Sequence, residues 1–334
     1  MPGKITNIII TFILISIFIS ISVYFNTSLF SYDRYEPTII ENNEVVPSQW
    51  FQIIINDPQI QTIKFTKVSL PGASFFLWHT NMIDWVMKNN SGEGKVMETF
   101  HRLLYIEKTH YKNEIVVDIG ANTGIYGLYA ASLGYQTLLI DPQPACHLYQ
   151  HIEITFNRLE HLVTVITNPL GRTSNVNTVK VSPQTPCVGD LRLSTSSQFS
   201  RLTSSADPAS FSSVYIMRFD DIYQNQQTIL LMKIDTEGFE ADILIGMKRL
   251  LVNRQIKNIV VEITPLFWPE FGMDRLKVAE EIASLWDYGF TNALKFANNN
   301  DANKRDLMFN SKEELFNDLA YGNFVQNDFY FNLK

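Results

Sequence analysis

At 334 residues, 46% hydrophobic and 18% charged, the chain can form one large domain or two small ones and has the apolar content for a substantial core. Its 27 Lys and Arg against 34 Asp and Glu give a net charge of −7, with no basic run to offset it, which excludes a protein built on phosphate contacts to nucleic acid. Aromatics at 13% and only 13 prolines exclude a disordered chain.

Between Lys4 and Asp33 there is no charged residue, and Ile5 to Phe25 is predominantly apolar, interrupted only by Thr, Asn and Ser. A helix needs about 20 apolar residues to cross a bilayer, so this stretch is long enough. A cleaved signal peptide has an apolar run of about 7–15 residues and a small-residue cleavage site. The run here is longer and no Ala-x-Ala follows, so we expect a cytoplasmic tail over residues 1–4 and an uncleaved transmembrane anchor over 5–30. Lys4 and the amino terminus on one side against Arg34 on the other favour a cytoplasmic N-terminus. The expected topology is single-pass type II, with the body in the lumen of the Golgi or endoplasmic reticulum. Asn89-Asn90-Ser91 would be a glycosylation acceptor there. Cys146 and Cys187 are the only cysteines; they pair in an oxidising compartment or stand as buried thiols.

Residues 31–50 are polar and read as a stem, and 51–95 as an extension that covers the substrate. Within the extension, the alternation over 63–70 predicts a strand, and a Pro-Gly turn follows it. Apolar residues at helical spacing predict a helix over 95–108. From Glu114 short apolar runs alternate with helical stretches. Strands are expected at 115–119, 137–141, 162–166, 229–235 and 258–263. Helices are expected at 126–133, 144–152 and 239–251. A Ser- and Thr-rich stretch intervenes over about 171–212. The last seventy residues add a helix at about 274–287 and two strands, near 288–296 and 328–333. Continuously apolar strands alternating with helices predict a parallel sheet covered on both faces.

The first buried strand runs into Asp118-Ile-Gly120-Ala-Asn122-Thr123-Gly124, and the second ends in Asp141. In open α/β sheets ligands bind at the carboxyl ends of the strands. Glycines there let backbone approach a ligand, and an acid about twenty residues on can accept hydrogen bonds from ribose hydroxyls. Pyrophosphate binding calls for Gly-x-Gly-x-x-Gly, whereas here Asn122 takes the second glycine's place. An acid two residues before the first glycine suits a nucleoside ligand with an ammonium group and no phosphates, such as S-adenosylmethionine.

With these segments in view, ValValAspIleGlyAlaAsnThrGly (116–124), AspProGlnPro (141–144), AsnProLeuGly (168–171), LysIleAspThrGluGlyPheGlu (233–240) and ValValGluIleThrPro (260–265) together resemble the FkbM-type methyltransferases, over roughly residues 96–334. The resemblance implies a class I, Rossmann-like, seven-stranded and mostly parallel sheet with helices on both faces, S-adenosylmethionine as cofactor, and O-methylation of a sugar hydroxyl on a glycan or glycoconjugate. It implies cofactor contacts from Asp118, Gly120, Asn122, Thr123 and Gly124 around the methionine moiety, from Asp141 on the ribose, and from Asn168 near the adenine. Asp235, at the end of the fourth strand, is expected beside the transferred methyl group. Glu237, two residues on, and Glu262, at the end of strand five, are candidates for the base that takes the acceptor's proton. The other candidates are a homologue that binds the cofactor without catalysis, a methyltransferase with a lipid or protein acceptor, and a dehydrogenase.

Several local patterns are set aside. His147 and His151 share a helix face without further ligands at a supporting interval. Gly92–Lys95 lacks the Ser or Thr and the first glycine of a phosphate loop and reads as a turn. Tyr330 and Lys334 mimic a dehydrogenase pair on what reads as a strand. Asp220 and Asp221 with Asp235 are the one combination considered for a divalent ion, and a turn with a helix cap accounts for the first two better. No metal-ligand set is assigned.

Overall fold

The computed structural model describes residues 65–78, 92–107, 113–174, 178–181, 187, 212–269, 271–297 and 305–334, all within the unit Ile63–Lys334. The expected anchor, the stem and the Asn89 sequon lie outside these residues. Among the described residues no helix is long and apolar enough to cross a membrane.

β1 (Phe65–Leu70) and β2 (Ala73–Trp78) form an antiparallel hairpin. α1 (Gly92–His101) continues into one π-helical turn, Arg102–Ile106. The helix therefore starts three residues before the sequence periodicity does, and Gly92–Lys95 is its first turn rather than a loop. β3 (Ile115–Ile119), α2 (Ile125–Ser132), β4 (Gln136–Ile140), α3 (Pro144–Phe156) and β5 (Val163–Ile166) follow the predicted alternation. β6 (Thr178–Val181) and β7 (Ser212–Tyr215), at the two ends of the polar insert, pair with each other. Then come α4 (Phe219–Ile222), β8 (Ile229–Ile234), α5 (Glu240–Gly246), α6 (Lys248–Val252), β9 (Asn258–Ile263), α7 (Arg275–Ala283), β10 (Asn292–Lys295), β11 (Leu307–Phe309), α8 (Lys312–Tyr321) and β12 (Asn327–Asn332).

The main sheet has eight strands, in the order β11-β10-β12-β9-β8-β3-β4-β5. The stretch from β9 to β5 is parallel, and β12, β10 and β11 join it antiparallel. Seven of these strands were expected. The eighth, β11, is three residues long and lies at the edge, too short to give a period-2 signal. The helix expected over 239–251 is broken at Met247. There the buried Asp220 carboxylate accepts the backbone N–H groups of Arg249 (2.8 Å) and Leu250 (3.2 Å), so it caps a new helix start. Asp220 is thus a cap.

Alternation along the strands divides the core. Val117, Ile119, Met232, Ile234, Ile259 and Val261 pack on one face among residues of α5, α7 and α8. Val116, Leu231, Val260 and Tyr330 face the other way, into a core with α1, α2 and the β1–β2 hairpin. Burial of Val68, Phe75, Leu77, Val96 and Phe100 in that second core holds the hairpin and α1 to the sheet. On this second face the strand positions nearest the carboxyl ends carry charge instead of hydrocarbon.

Candidate active site

At the end of β3, Asp118 is fully buried. Its Oδ2 accepts the backbone N–H of Gly127 at 3.0 Å, while its Oδ1 has no hydrogen-bond partner. Burial pushes the carboxyl up to about 6, against the pull of Lys233 and the Gly127 N–H. The chain then turns at Gly120, with φ +73°, where a Cβ atom would lie 1.6 Å from the carbonyl oxygen of Asp235. A glycine is required here because β8 passes against the loop.

The same loop is tied to β4. Asp141, 2% exposed, accepts Asn122 N–H on Oδ2 (2.9 Å) and Gln143 N–H on Oδ1 (2.8 Å). Burial raises it to about 6, opposed by these two bonds. Asn122 sits in the left-handed region at φ 50°, and its carbonyl accepts from Gln150 Nε2 at 2.6 Å. Thr123 is buried behind it, and Gly124 starts α2 with φ 82°. Asn168 is half-buried beside the β7 end and donates its amide to the Tyr215 carbonyl at 3.1 Å. Cys146 in α3 and Cys187 in the insert form a disulfide, and the Cys187 sulfur lies 2.9 Å from Asn122 Oδ1. The insert is thereby fastened against the loop that the sequence marks for the cofactor.

A second group of acids lies across the neighbouring strands on the same face. Asp118 is in register with Lys233 of β8, Lys233 with Val260 of β9, and Glu262 of β9 directly with Asp328 of β12. Lys233 donates to Asp235 Oδ2 at 2.7 Å and stands over the Tyr126 ring at 5.0 Å. Burial opposes the lysine's charge, but Asp235, Glu93 and Asp118 outweigh it and raise its pKa. Glu93, in the first turn of α1, accepts the hydroxyl of Tyr126. Carboxylate oxygens of Glu93, Asp235 and Glu262 lie within 4.8 Å of one another. Burial, then the charges of Asp235 and Asp328, push Glu262 well up. Burial, then Glu93, does the same to Asp328. Glu93 is raised too, by burial first. The group can therefore hold a proton among its carboxyl groups.

The structure thus brings Asp118, Gly120, Asn122, Thr123, Gly124 and Asp141 together around one loop, and Asp235 with Glu262 beside it. Glu237 is on the turn after β8 with φ 53° and is not in the acidic group. The acid at the following helix start is Glu240, fully buried, which accepts Gly238 N–H at 2.7 Å and is raised by burial to about 7. Three residues of the site were not anticipated: Glu93, Lys233 and Asp328. For Asp328 a signal exists, because Asp328, Tyr330 and Asn332 alternate with Phe329 and Phe331, which puts polar groups on one face of an interior strand. Of the patterns set aside, His147 Nε2 bonds the Asp141 carbonyl and Tyr330 donates to Asn258 Oδ1 at 2.7 Å. Both are structural contacts.

A family profile described as the methyltransferase FkbM domain matches residues 118–291. No curated protein matches the chain in sequence. Among solved structures, a SAM-dependent methyltransferase from Agrobacterium tumefaciens is 12% identical, aligned over 81% of this chain and 70% of its own, with a TM-score of 0.37. A human methyltransferase 10 domain containing protein is 12% identical over 73% of this chain and 82% of its own, at 0.32. The N-terminal domain of human METTL16, solved in complex with SAH, is 13% identical over 72% and 69%, at 0.31. All three likenesses are remote.

Proposed function

Because the chain belongs to the FkbM family of methyltransferases, whose profile covers Asp118 to Thr291, we propose that it transfers a methyl group from S-adenosylmethionine to a sugar hydroxyl of a glycan or glycoconjugate. The observation that carries the cofactor reading is Asp118: a fully buried carboxylate at the mouth of a glycine loop, with one oxygen unpartnered. A buried acceptor left open costs about 1–3 kcal/mol, and an ammonium group at that point recovers it. Asp141, at the end of the next strand, is the carboxylate the family resemblance assigns to the ribose, and Asn168 the residue it assigns to the base.

When bound, the cofactor supplies an electrophilic methyl group on a sulfonium. Asp235 and Glu262 stand at the neighbouring strand ends to orient the acceptor hydroxyl and take its proton as its oxygen forms the new bond to carbon. Lys233 fixes Asp235 for this role through the 2.7 Å bond. A cluster of carboxyl groups also suits an acceptor rich in hydroxyl donors. The Cys146–Cys187 disulfide supports a body in an oxidising compartment, in keeping with a type II anchor over residues 5–30 and a lumenal site in the Golgi or endoplasmic reticulum.

The test is methyl transfer from radiolabelled S-adenosylmethionine to a panel of methyl glycosides and glycoconjugates. We expect label in at least one sugar and none with Asp235→Asn. Label incorporated only into lipid or protein acceptors would overturn the glycan reading. An endoglycosidase-sensitive mass on Asn89 is the expected sign of the lumenal topology.

A further inference from the structure

We propose that Glu93, Asp235 and Glu262, with Asp328 beside them, form a binding site for one divalent cation of the Mg2+ or Mn2+ class, beside the cofactor loop. Their arrangement has the dimensions of a coordination shell. Oxygens from Glu93, Asp235 and Glu262 lie within 4.8 Å of one another, and oxygens bound to one hard cation at about 2.0–2.6 Å span such distances. The three come from separate elements, α1, the β8 end and β9, that converge on one point over the sheet.

Asp328 supplies the observation that points to a ligand. It is 7% exposed and pairs directly across the strands with Glu262. Its carboxyl group has no hydrogen bond or ion pair among the described residues, although it lies in the field of Glu93, Asp235 and Lys233. A buried carboxyl group without a partner, next to three acids whose oxygens already cluster, is what a bound cation would compensate. Asp118, on the same sheet face, adds a fifth carboxyl group, whose one unpartnered oxygen is the one assigned to the cofactor's ammonium. One ammonium, that of Lys233, is set among these five carboxyl groups, so a dication brings the site closer to neutrality than the lysine does alone. The donor set is oxygen only. That favours hard cations and disfavours zinc or copper, which take imidazole or thiolate.

Bound there, the ion would coordinate the acceptor hydroxyl and ease its deprotonation. That consequence rests on the methyl-transfer reading; ion binding does not. The experiment is Mn2+ titration of the full chain, purified in detergent and stripped with chelator, with free Mn2+ followed by electron paramagnetic resonance. No methyl donor or acceptor is present, so failure of the site and failure of the methyl-transfer reading are told apart. We expect one Mn2+ per chain, displaced by excess Mg2+, with affinity lowered ~10-fold or more in Asp328→Asn and in Glu262→Gln. Glu93→Gln, in the first turn of a helix, is the third variant should either strand variant fail to fold by circular dichroism. No saturable binding up to about 1 mM would overturn the proposal, as would folded variants that bind Mn2+ like the parent chain.

Discussion

The two halves of the site hold their acids in opposite ways. In the β3–β4 half, Asp118 and Asp141 accept backbone N–H groups of the loop they shape, Gly127 for one and Asn122 and Gln143 for the other. Those carboxylates hold the backbone in place, and their function is added to a structural duty. In the β8–β9–β12 half, Glu93, Asp235, Glu262 and Asp328 face one another around Lys233. These acids have little to stabilise in the empty protein, and natural sequences keep such arrangements where a ligand or a reaction needs them. Loss of an accepted backbone N–H should therefore destabilise the first half, and loss of an acid should relax the second.

The largest effect we expect is from Cys146→Ser. The disulfide closes a loop with a sequence separation of 41, which corresponds to about 4 kcal/mol of chain entropy. Denaturant titration in oxidising buffer should show that loss, and S-adenosylhomocysteine should bind more weakly because Cys187 touches Asn122. Gly120→Ala comes next. A left-handed φ and a Cβ overlapping the Asp235 carbonyl together cost about 3 kcal/mol, again read by denaturant titration.

Stability should also depend on pH through the buried acids. Asp118 is raised from 3.8 to about 6, so the folded state holds a proton that the unfolded state has released. Its contribution is full below pH 3.8 and is lost as pH rises through about 6, by about 3 kcal/mol. Asp118→Asn should flatten the fall in unfolding free energy between about pH 4 and 7 by that amount. A smaller change separates the halves directly. Asp141→Asn gives up one of two accepted backbone N–H groups and should destabilise by about 2 kcal/mol. Glu262→Gln replaces a carboxyl group whose ionisation the folded state opposes and should stabilise the ligand-free protein at neutral pH by about 1 kcal/mol, while slowing methyl transfer. Equal signs for this pair would remove the distinction between the halves.

The same contrast explains what could be read from the sequence. The cofactor half is local: strand, loop, helix, strand and acid follow within the twenty-odd residues from Asp118 to Asp141, so spacing alone predicts the geometry. The acidic group comes from α1, β8, β9 and β12, spread from Glu93 to Asp328. No spacing rule links those positions, and only the sheet order brings them into contact. Of the elements that escaped notice, two did so for evident local reasons. β11 is three residues long, and α8 has a mixed face, although Ser311 and Glu314 offered a capping box: Ser311 Oγ accepts Glu314 N–H and Glu314 Oε2 accepts from Asn310. The break between α5 and α6 depends on Asp220, which lies 29 residues before Arg249, and the helical periodicity runs through it unmarked.

The most direct test of the central claim, that the Asp118–Asp141 loop holds S-adenosylmethionine, is calorimetry of S-adenosylhomocysteine binding to the full chain and to Asp118→Asn. We predict saturable binding to the parent chain and affinity lower by ~10-fold or more in the variant, since its ammonium partner is lost at about 1.5–3 kcal/mol. A folded parent chain that takes up no ligand, or equal affinity in the two proteins, would contradict it.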